Sequence, residues 1–261
     1  MSEVAWAVHF PAIQELHVGH LGSYWTAVKE RFPILEQYPP APYRQPEAFE
    51  AAAQHFFSVS ITPISPLPRC WFISAERDLV IQVQSDRLVL NWRRVEDDAQ
   101  YPRFDFMRER FNEIFDGWVA FLGTQGLAIP QRFNGEITYV NTVMPGVVWQ
   151  THGDAHRIFR QISTLESDAD QALRQEDLRF EQRYVFPNPK GQDTGRLYVG
   201  VEPSFTLPQG QPVFNLTLTA RGGESGSKND LLDFYAAGRS HIVRTFDAMT
   251  TPEMHIVWGK T

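Results

Sequence analysis

Hydrophobic spacing in the first half of the chain predicts a strand, a helix, three strands and a long helix. The predicted strands, in which apolar residues alternate with others, are residues 5–10, 69–74, 79–84 and 87–93. The predicted helices, whose apolar residues recur every three or four positions, are residues 20–32 and 104–122. Two residues separate the last two strands, which is the spacing of a tight hairpin. We expect this meander to bury one face.

The second half repeats this order of elements. Its predicted strands are residues 135–143, 179–186, 195–202 and 212–220, and its predicted helices are residues 152–162 and 231–249. The order predicts an α+β fold with two similar halves, residues 1–131 and 132–261, each an antiparallel sheet with helices on one face. Two arrangements are open: the halves join into one continuous curved sheet, or they pack as separate lobes. An internal duplication is a hypothesis that rests on element order alone.

A proline-rich connector follows the first predicted helix. Residues 33–69 hold eight of the 18 prolines, and proline neither continues a helix nor sits in a central strand. We therefore predict an irregular strap along the surface, interrupted by a short helix around residues 46–57. A polyproline segment that binds a partner is the alternative.

Charge and cysteine content narrow the classes of function. The net charge is -7, and neither half has more basic than acidic residues, which disfavours a phosphate-binding surface for nucleic acid. Cys70 is the single cysteine, so an intramolecular disulfide and a thiolate zinc site are excluded. The chain also lacks a basic leader and an apolar run long enough to span a membrane. We expect a cytoplasmic protein without a membrane partner.

Two stretches of the chain resemble a known family. They are "RDLVIQVQSDRLVLNWRR" with the following "YPRFDFMRERF", and the C-terminal "TTPEMHIVWG". In this order they resemble a sporadically distributed family of uncharacterised bacterial proteins of about this length, known by a family model and without an assigned activity. The resemblance covers most of the chain, with the strap as the least typical part. It implies bacterial origin and a shared fold, and it transfers no catalytic residue.

His152, Asp154 and His156 form the pattern with the clearest chemistry. In an extended segment, alternate spacing would place all three side chains on one face. A distant histidine, His241 or His255, could then complete the two-histidine, one-carboxylate face of a non-haem iron site.

The residues around this pattern favour a helix instead. Apolar residues recur with helical spacing from Ile158 to Leu165, and Thr151 lies three positions before Asp154, as in a capping box with aspartate in place of glutamate. In a helix, Asp154 would point about 200° away from His152. The metal site is therefore the runner-up hypothesis.

The glycine-rich residues 220–230 lie between a predicted strand and a predicted helix, which is the context of a phosphate-binding loop. Their glycine and lysine spacing departs from that of a P-loop. We interpret them as a connector with Asn229 or Asp230 as the helix cap.

The leading hypothesis is a non-catalytic binding or protein-interaction module that uses the sheet or the groove between the halves. It assigns no catalytic residue, metal or cofactor, and it leaves the ligand-binding residues unknown. The partner would be another protein or a small ligand, and a homo-oligomer is left open. The runner-up is a metal-dependent enzyme that uses His152, Asp154 and His156. The third hypothesis, a nucleic-acid binding protein, is disfavoured by the charge.

Overall fold

The computed structural model describes residues 1–44, 47, 49, 67–96, 99–162, 174–188 and 190–259. Within these residues nine strands form one antiparallel sheet, and the fold class is α+β, as the sequence predicts. The strands are β1 (Glu3–His9), β2 (Ile34–Tyr38), β3 (Arg69–Ile73), β4 (Leu79–Gln84), β5 (Arg87–Arg93), β6 (Phe133–Val143), β7 (Phe180–Pro187), β8 (Asp193–Phe205) and β9 (Pro212–Ser225). The helices are α1 (Val18–Val28), α2 (Phe104–Thr124), α3 (Lys228–Met249) and α4 (Pro252–Val257), with a 3₁₀ helix at His152–Arg157.

The strand order shows that the sheet is continuous through both halves. Across the sheet it is β2-β3-β4-β5-β1-β6-β9-β8-β7. β1 pairs with β5 on one side and with β6 on the other, both antiparallel. The described strands of residues 1–131 therefore lie on one side of the β1–β6 pairing, and those of residues 132–261 lie on the other.

Helices α1, α2 and α3 pack on one face of the sheet through aromatic side chains. Trp6 of β1 is fully buried, and its ring centroid lies 5.7 Å from that of Phe111 in α2 and 4.7 Å from that of Tyr235 in α3. Tyr24 of α1 reaches Phe72 of β3 at 5.9 Å. The broad apolar stripe predicted for the long helix of the first half is confirmed, because the buried residues of α2 are Met107, Phe111, Ile114, Phe115, Trp118 and Leu122. None of the described helices is long and apolar enough to cross a membrane.

The predicted strap of residues 33–69 is wrong at its start, where Ile34–Tyr38 forms the edge strand β2. These five residues lie between Pro33 and Pro39, so each keeps its N–H and can pair at a sheet edge. We keep the name strap for residues 39–49, of which 39–44, 47 and 49 are described. The predicted short helix around residues 46–57 falls mainly outside the described residues.

The expectation that the β3–β5 meander buries one face is also wrong. Val80, Gln82, Val89 and Asn91 point away from the helices and are nevertheless buried. The strap reaches this face at Gln84, whose side-chain amide exchanges two hydrogen bonds with the backbone of the strap. Strand alternation alone could not predict this contact, because the strap lies more than 40 residues earlier.

Helix α3 approaches the sheet closely at Gly238. A Cβ atom at this position would lie 2.9 Å from the Cβ of Ala220 and 3.2 Å from Cγ2 of Ile137. One turn earlier, the Tyr235 hydroxyl donates a hydrogen bond of 2.7 Å to the carbonyl of Ala7 in β1. The absence of a side chain at Gly238 therefore lets the helix sit close enough for Tyr235 to reach the central strand.

We expect Gly238→Ala to lower the free energy of unfolding by about 1–3 kcal/mol, because the added methyl group forces α3 away from the sheet. Gly117→Ala is the matched control: it also lies within a helix, α2, but its Cβ would meet nothing within 4 Å. Higher helix propensity should make that variant more stable by about 0.5–1 kcal/mol. Urea unfolding measures both changes, and shifts of the same sign would contradict the close approach.

Candidate functional site

The segment around His152 forms a 3₁₀ helix, and the capping box predicted at its start is present. Asp154 Oδ2 accepts hydrogen bonds from the backbone N–H groups of Gln150 at 3.0 Å and Thr151 at 2.9 Å. Burial alone would raise the pKa of Asp154, but these bonds and the charge of Arg157 outweigh it and lower the pKa below its ordinary value. Asp154 therefore acts as an ionised helix cap.

His152 joins the 3₁₀ helix to the sheet. Its ring is buried, and Nε2 lies 3.0 Å from the carbonyl oxygens of both Ser204 and Val213. Because a carbonyl oxygen only accepts hydrogen bonds, Nε2 carries the proton and donates to both oxygens. His152 thus holds the helix against the hairpin end of β8 and β9.

The three predicted metal ligands have separate surroundings. Asp154 caps the helix, whereas His156 has a buried Nδ1 atom without a hydrogen-bond partner. The two histidines considered as further ligands also lie apart: His241 stacks on a phenylalanine ring of β7, and His255 bonds to the hydroxyl of Thr250. In the part of the chain that the structure describes, no three His, Cys, Asp or Glu side chains are grouped so that they could hold a metal ion.

The glycine-rich stretch is mostly strand. β9 extends to Ser225, and α3 begins three residues later at Lys228 with Ser227 as its N-cap. The Ser227 hydroxyl oxygen accepts a hydrogen bond of 3.2 Å from the N–H of Asp230. The predicted caps, Asn229 and Asp230, are therefore wrong, because the helix starts earlier than its apolar spacing indicates.

A polar groove lies over β7, β8 and β9 on the face of the sheet opposite the helices. It has a volume of about 610 Å³. Alternate residues of the three strands give it hydroxyl, amide and charged groups, namely Glu181, Arg183, Tyr198, Glu202, Asn215, Thr217 and Thr219. Gly200 also lines the groove, and a Cβ atom there would meet nothing within 4 Å. The floor of the groove therefore has open space above Gly200, where β8 has no side chain.

The charge changes sign along the groove. Strand register places Arg183 beside Tyr198 at one end. Glu181 lies beside Gly200, and Glu202 lies two residues further along β8. Arg179 offsets the negative charge of Glu202, because its Nε lies 3.7 Å from a carboxylate oxygen of Glu202. The groove is therefore basic at Arg183 and acidic beside Gly200, where Glu181 lies.

The strap crosses the sheet at the basic end of the groove and bonds to it through Ala41, Pro42, Arg44 and Glu47. The Ala41 backbone bonds to Gln84 of β4, and Nη1 of Arg44 lies 3.1 Å from Oε2 of Glu136 in β6. Glu47 bonds to side chains of β8 and β9. The described residues of the strap thus span the sheet from β4 to β8.

Glu47 lies in a site made of charged and hydroxyl donors, and its side chain is only 6% exposed. Oε1 accepts a hydrogen bond of 2.8 Å from the Tyr198 hydroxyl and lies 3.1 Å from Nη1 of Arg221. Oε2 accepts a hydrogen bond from Arg196. Burial and the bond to Glu47 raise the pKa of Tyr198, so its hydroxyl stays a donor. We call Arg196, Tyr198 and Arg221 the carboxylate seat.

Glu136 connects the strap to the centre of the sheet. Its Oε2 atom lies 3.1 Å from Arg44, 3.3 Å from Nε of Arg221 and 3.7 Å from Nε2 of His9. Burial would raise the pKa of Glu136, but His9 and the two arginines outweigh it and lower the pKa. The carboxylate is therefore ionised, and it ties residues of β1, β6 and β9 to the strap.

Sequence reasoning did not identify the groove or the carboxylate seat. The contact between Glu47 and Arg196 joins residues 149 positions apart, and no local pattern predicts it. One signal was available: Asn215, Thr217 and Thr219 alternate with buried leucines on β9, which indicates a polar face.

Comparison with known proteins does not assign this site. No family model, curated protein or solved structure matches the chain. The family resemblance based on sequence motifs stays a prediction, and the candidate site rests on its geometry.

We expect His152→Ala to lower the free energy of unfolding by about 1–3 kcal/mol, because two carbonyls at the end of the β8–β9 hairpin lose their shared donor. His156→Ala is the control, since its ring Nδ1 has no hydrogen-bond partner to lose. Urea unfolding compares the two variants. A fixed metal content in the purified protein that disappears with His152→Ala would contradict this role and favour the metal-dependent enzyme.

The lowered pKa of Glu136 predicts a pH-dependent contribution to stability. It is present above the ordinary glutamate pKa of 4.5 and is lost as the pH falls through the lower pKa of the folded state. At neutral pH, Glu136→Gln should cost about 1–3 kcal/mol, and this difference from the wild type should shrink in acid. Unfolding by urea at a series of pH values tests this, with the exposed Glu15→Gln as control. A difference that does not change with pH would rule the pairing out.

Proposed function

We propose that the chain is a non-catalytic binding module whose groove over β7, β8 and β9 holds an extended segment of a partner protein. The observation that carries this proposal is the row of partly exposed polar residues that three neighbouring strands direct into one groove. Hydroxyl and amide groups at such positions form hydrogen bonds with whatever fills the groove. On β8 and β9 the groove residues alternate with buried residues, which fixes the direction of their side chains before a ligand binds.

The length and charge of the groove support an extended peptide as the ligand. From Tyr198 to Glu202 the floor covers four residue steps along β8, which is about 13–14 Å. An extended chain of four to five residues has this length. The basic end at Arg183, with the acidic Glu181 and Glu202 further along the strands, complements a segment in which a basic residue follows an acidic one. Electrostatic complementarity of this kind selects the partner and fixes its orientation.

We also propose that residues 1–131 and 132–261 are two related halves, as the element order predicts. The strand order supports this: outward from the centre, the first half runs β1, β5, β4, β3 and the second runs β6, β9, β8, β7. If these four strands are numbered along the chain within each half, their order across the sheet, outward from the centre, is first, fourth, third and second in both halves. Among the described residues, β2 has no counterpart in the second half, and the 3₁₀ helix takes the place that α1 has in the first.

Gly200→Val should fill the groove without disturbing the fold. A Cβ atom at Gly200 has open space around it, and valine favours strands, so we expect the free energy of unfolding to change by less than about 1 kcal/mol. The branched side chain would stand in the floor of the groove, where the ligand lies.

Peptides selected on the wild-type protein from a displayed random library test this proposal. We expect Gly200→Val to weaken their binding at least about tenfold, and Gly117→Ala, in a helix on the other face of the sheet, to leave it unchanged. The groove proposal fails if every selected peptide binds Gly200→Val as well as the wild type, or if no peptide can be selected.

A further inference from the structure

We propose that the carboxylate seat is a binding site for an acidic side chain of the partner segment, and that Glu47 of the strap occupies this seat in cis. This rests on the proposed function, because the seat adjoins the basic end of the groove. A segment that lies in the groove with a glutamate or aspartate at that end displaces Glu47 and, with it, this part of the strap.

The seat has the chemistry of carboxylate recognition. Two guanidinium groups and one phenol hydroxyl surround both oxygens of Glu47, and bonds between charged groups are stronger than neutral ones. The arginine side chains are only 25% and 20% exposed, so water screens their charge weakly. All three donors belong to β8 and β9, which the strap does not form. Arg221 also contacts Glu136, which stays in place when Glu47 leaves. Arg196, in contrast, also lies over the ring of Phe49 in the strap at 4.8 Å.

The positions of the strap contacts show how an extended segment crosses the strands of the sheet. The polar contacts come from Ala41, Pro42, Arg44 and Glu47. The prolines at positions 39, 40 and 42 favour an extended polyproline II conformation, which advances about 3.1 Å per residue. Arg44 contacts β6, three strands beyond β4. Glu47 contacts β9 and β8, one and two strands beyond β6.

Tyr198 links the seat to the groove. Its hydroxyl bonds to Glu47, and the residue also lines the groove. Gly200 follows two residues along β8, a distance of about 7 Å. A peptide over Gly200 thus reaches the seat within two residues, and Arg183 beside Tyr198 adds positive charge along the way.

Because Glu47 already occupies the carboxylate seat, a partner must displace it in order to bind there. Because Glu47 belongs to the same chain, its effective concentration at the seat is on the order of millimolar. An acidic peptide should therefore bind weakly to the wild-type protein and more tightly when Glu47 is replaced. The gain in peptide affinity when Glu47 is replaced is the measurable sign of this competition.

A synthetic peptide with the sequence of residues 38–49, YPPAPYRQPEAF, is the direct probe of the seat. We expect Glu47→Ala protein to bind it at least about tenfold more tightly than the wild type, as measured by fluorescence anisotropy. A peptide with glutamine in place of the glutamate should lose that gain. Glu109→Gln, on an exposed part of α2, is the control and should bind the peptide as the wild type does. Glu47→Gln, which keeps the side-chain size, serves as a second variant if Glu47→Ala unfolds.

Three outcomes would overturn the seat: equal binding to the wild type and both Glu47 variants, equal binding of the glutamate and glutamine peptides, or tighter binding of a phosphoserine peptide. The last result would assign the site to phosphate groups. Adding Gly200→Val to Glu47→Ala separates this inference from the proposed function. Peptide binding that persists in the double variant supports the seat even if the groove takes no partner segment.

Discussion

The pairing of β1 with β6 is the interaction on which the rest of the structure depends. It joins Glu3–His9 to the facing residues of β6 through seven residue pairs, and it makes one sheet of the strands on either side. Trp6 sits at this junction and contacts α2 from one half and α3 from the other. The two halves therefore share one hydrophobic core. The same continuity lets a strap that begins in the first half reach strands of the second.

Buried charge on the polar face is tolerated because each charge has several partners. Removing an ion pair from water costs more free energy than a single contact between the two charges gains, unless further hydrogen bonds satisfy both groups. Glu47 and Glu136 each meet more than one cation or donor, and Arg221 lies between them. Proline also lowers the cost of laying a strap on this surface, because it has no N–H that must be satisfied. At Ala41, between prolines, the N–H is satisfied by the side chain of Gln84.

The sequence predicts the elements well and the surfaces poorly. Strands and long helices follow from spacing along the chain, and the capping box follows from Thr151 and Asp154, which lie three positions apart. β2 was missed because its five residues lie among prolines, which argue against a strand. The carboxylate seat was missed for a different reason. Its donors and Glu47 come from distant parts of the chain, so their meeting depends on how the strap crosses the folded sheet.

The two halves of the polar face differ in chemistry, and this difference bears on the proposed relation between them. In β4 and β5 the residues that point away from the helices include Val80 and Val89, which are buried. In β8 and β9 the side chains that point away from the helices are polar, for example those of Thr217 and Thr219, and they stay partly exposed. Positions that face different surroundings come under different physical constraints, even when the backbone order is the same. Related halves would therefore keep their strand order and core spacing while losing residue identity on this face.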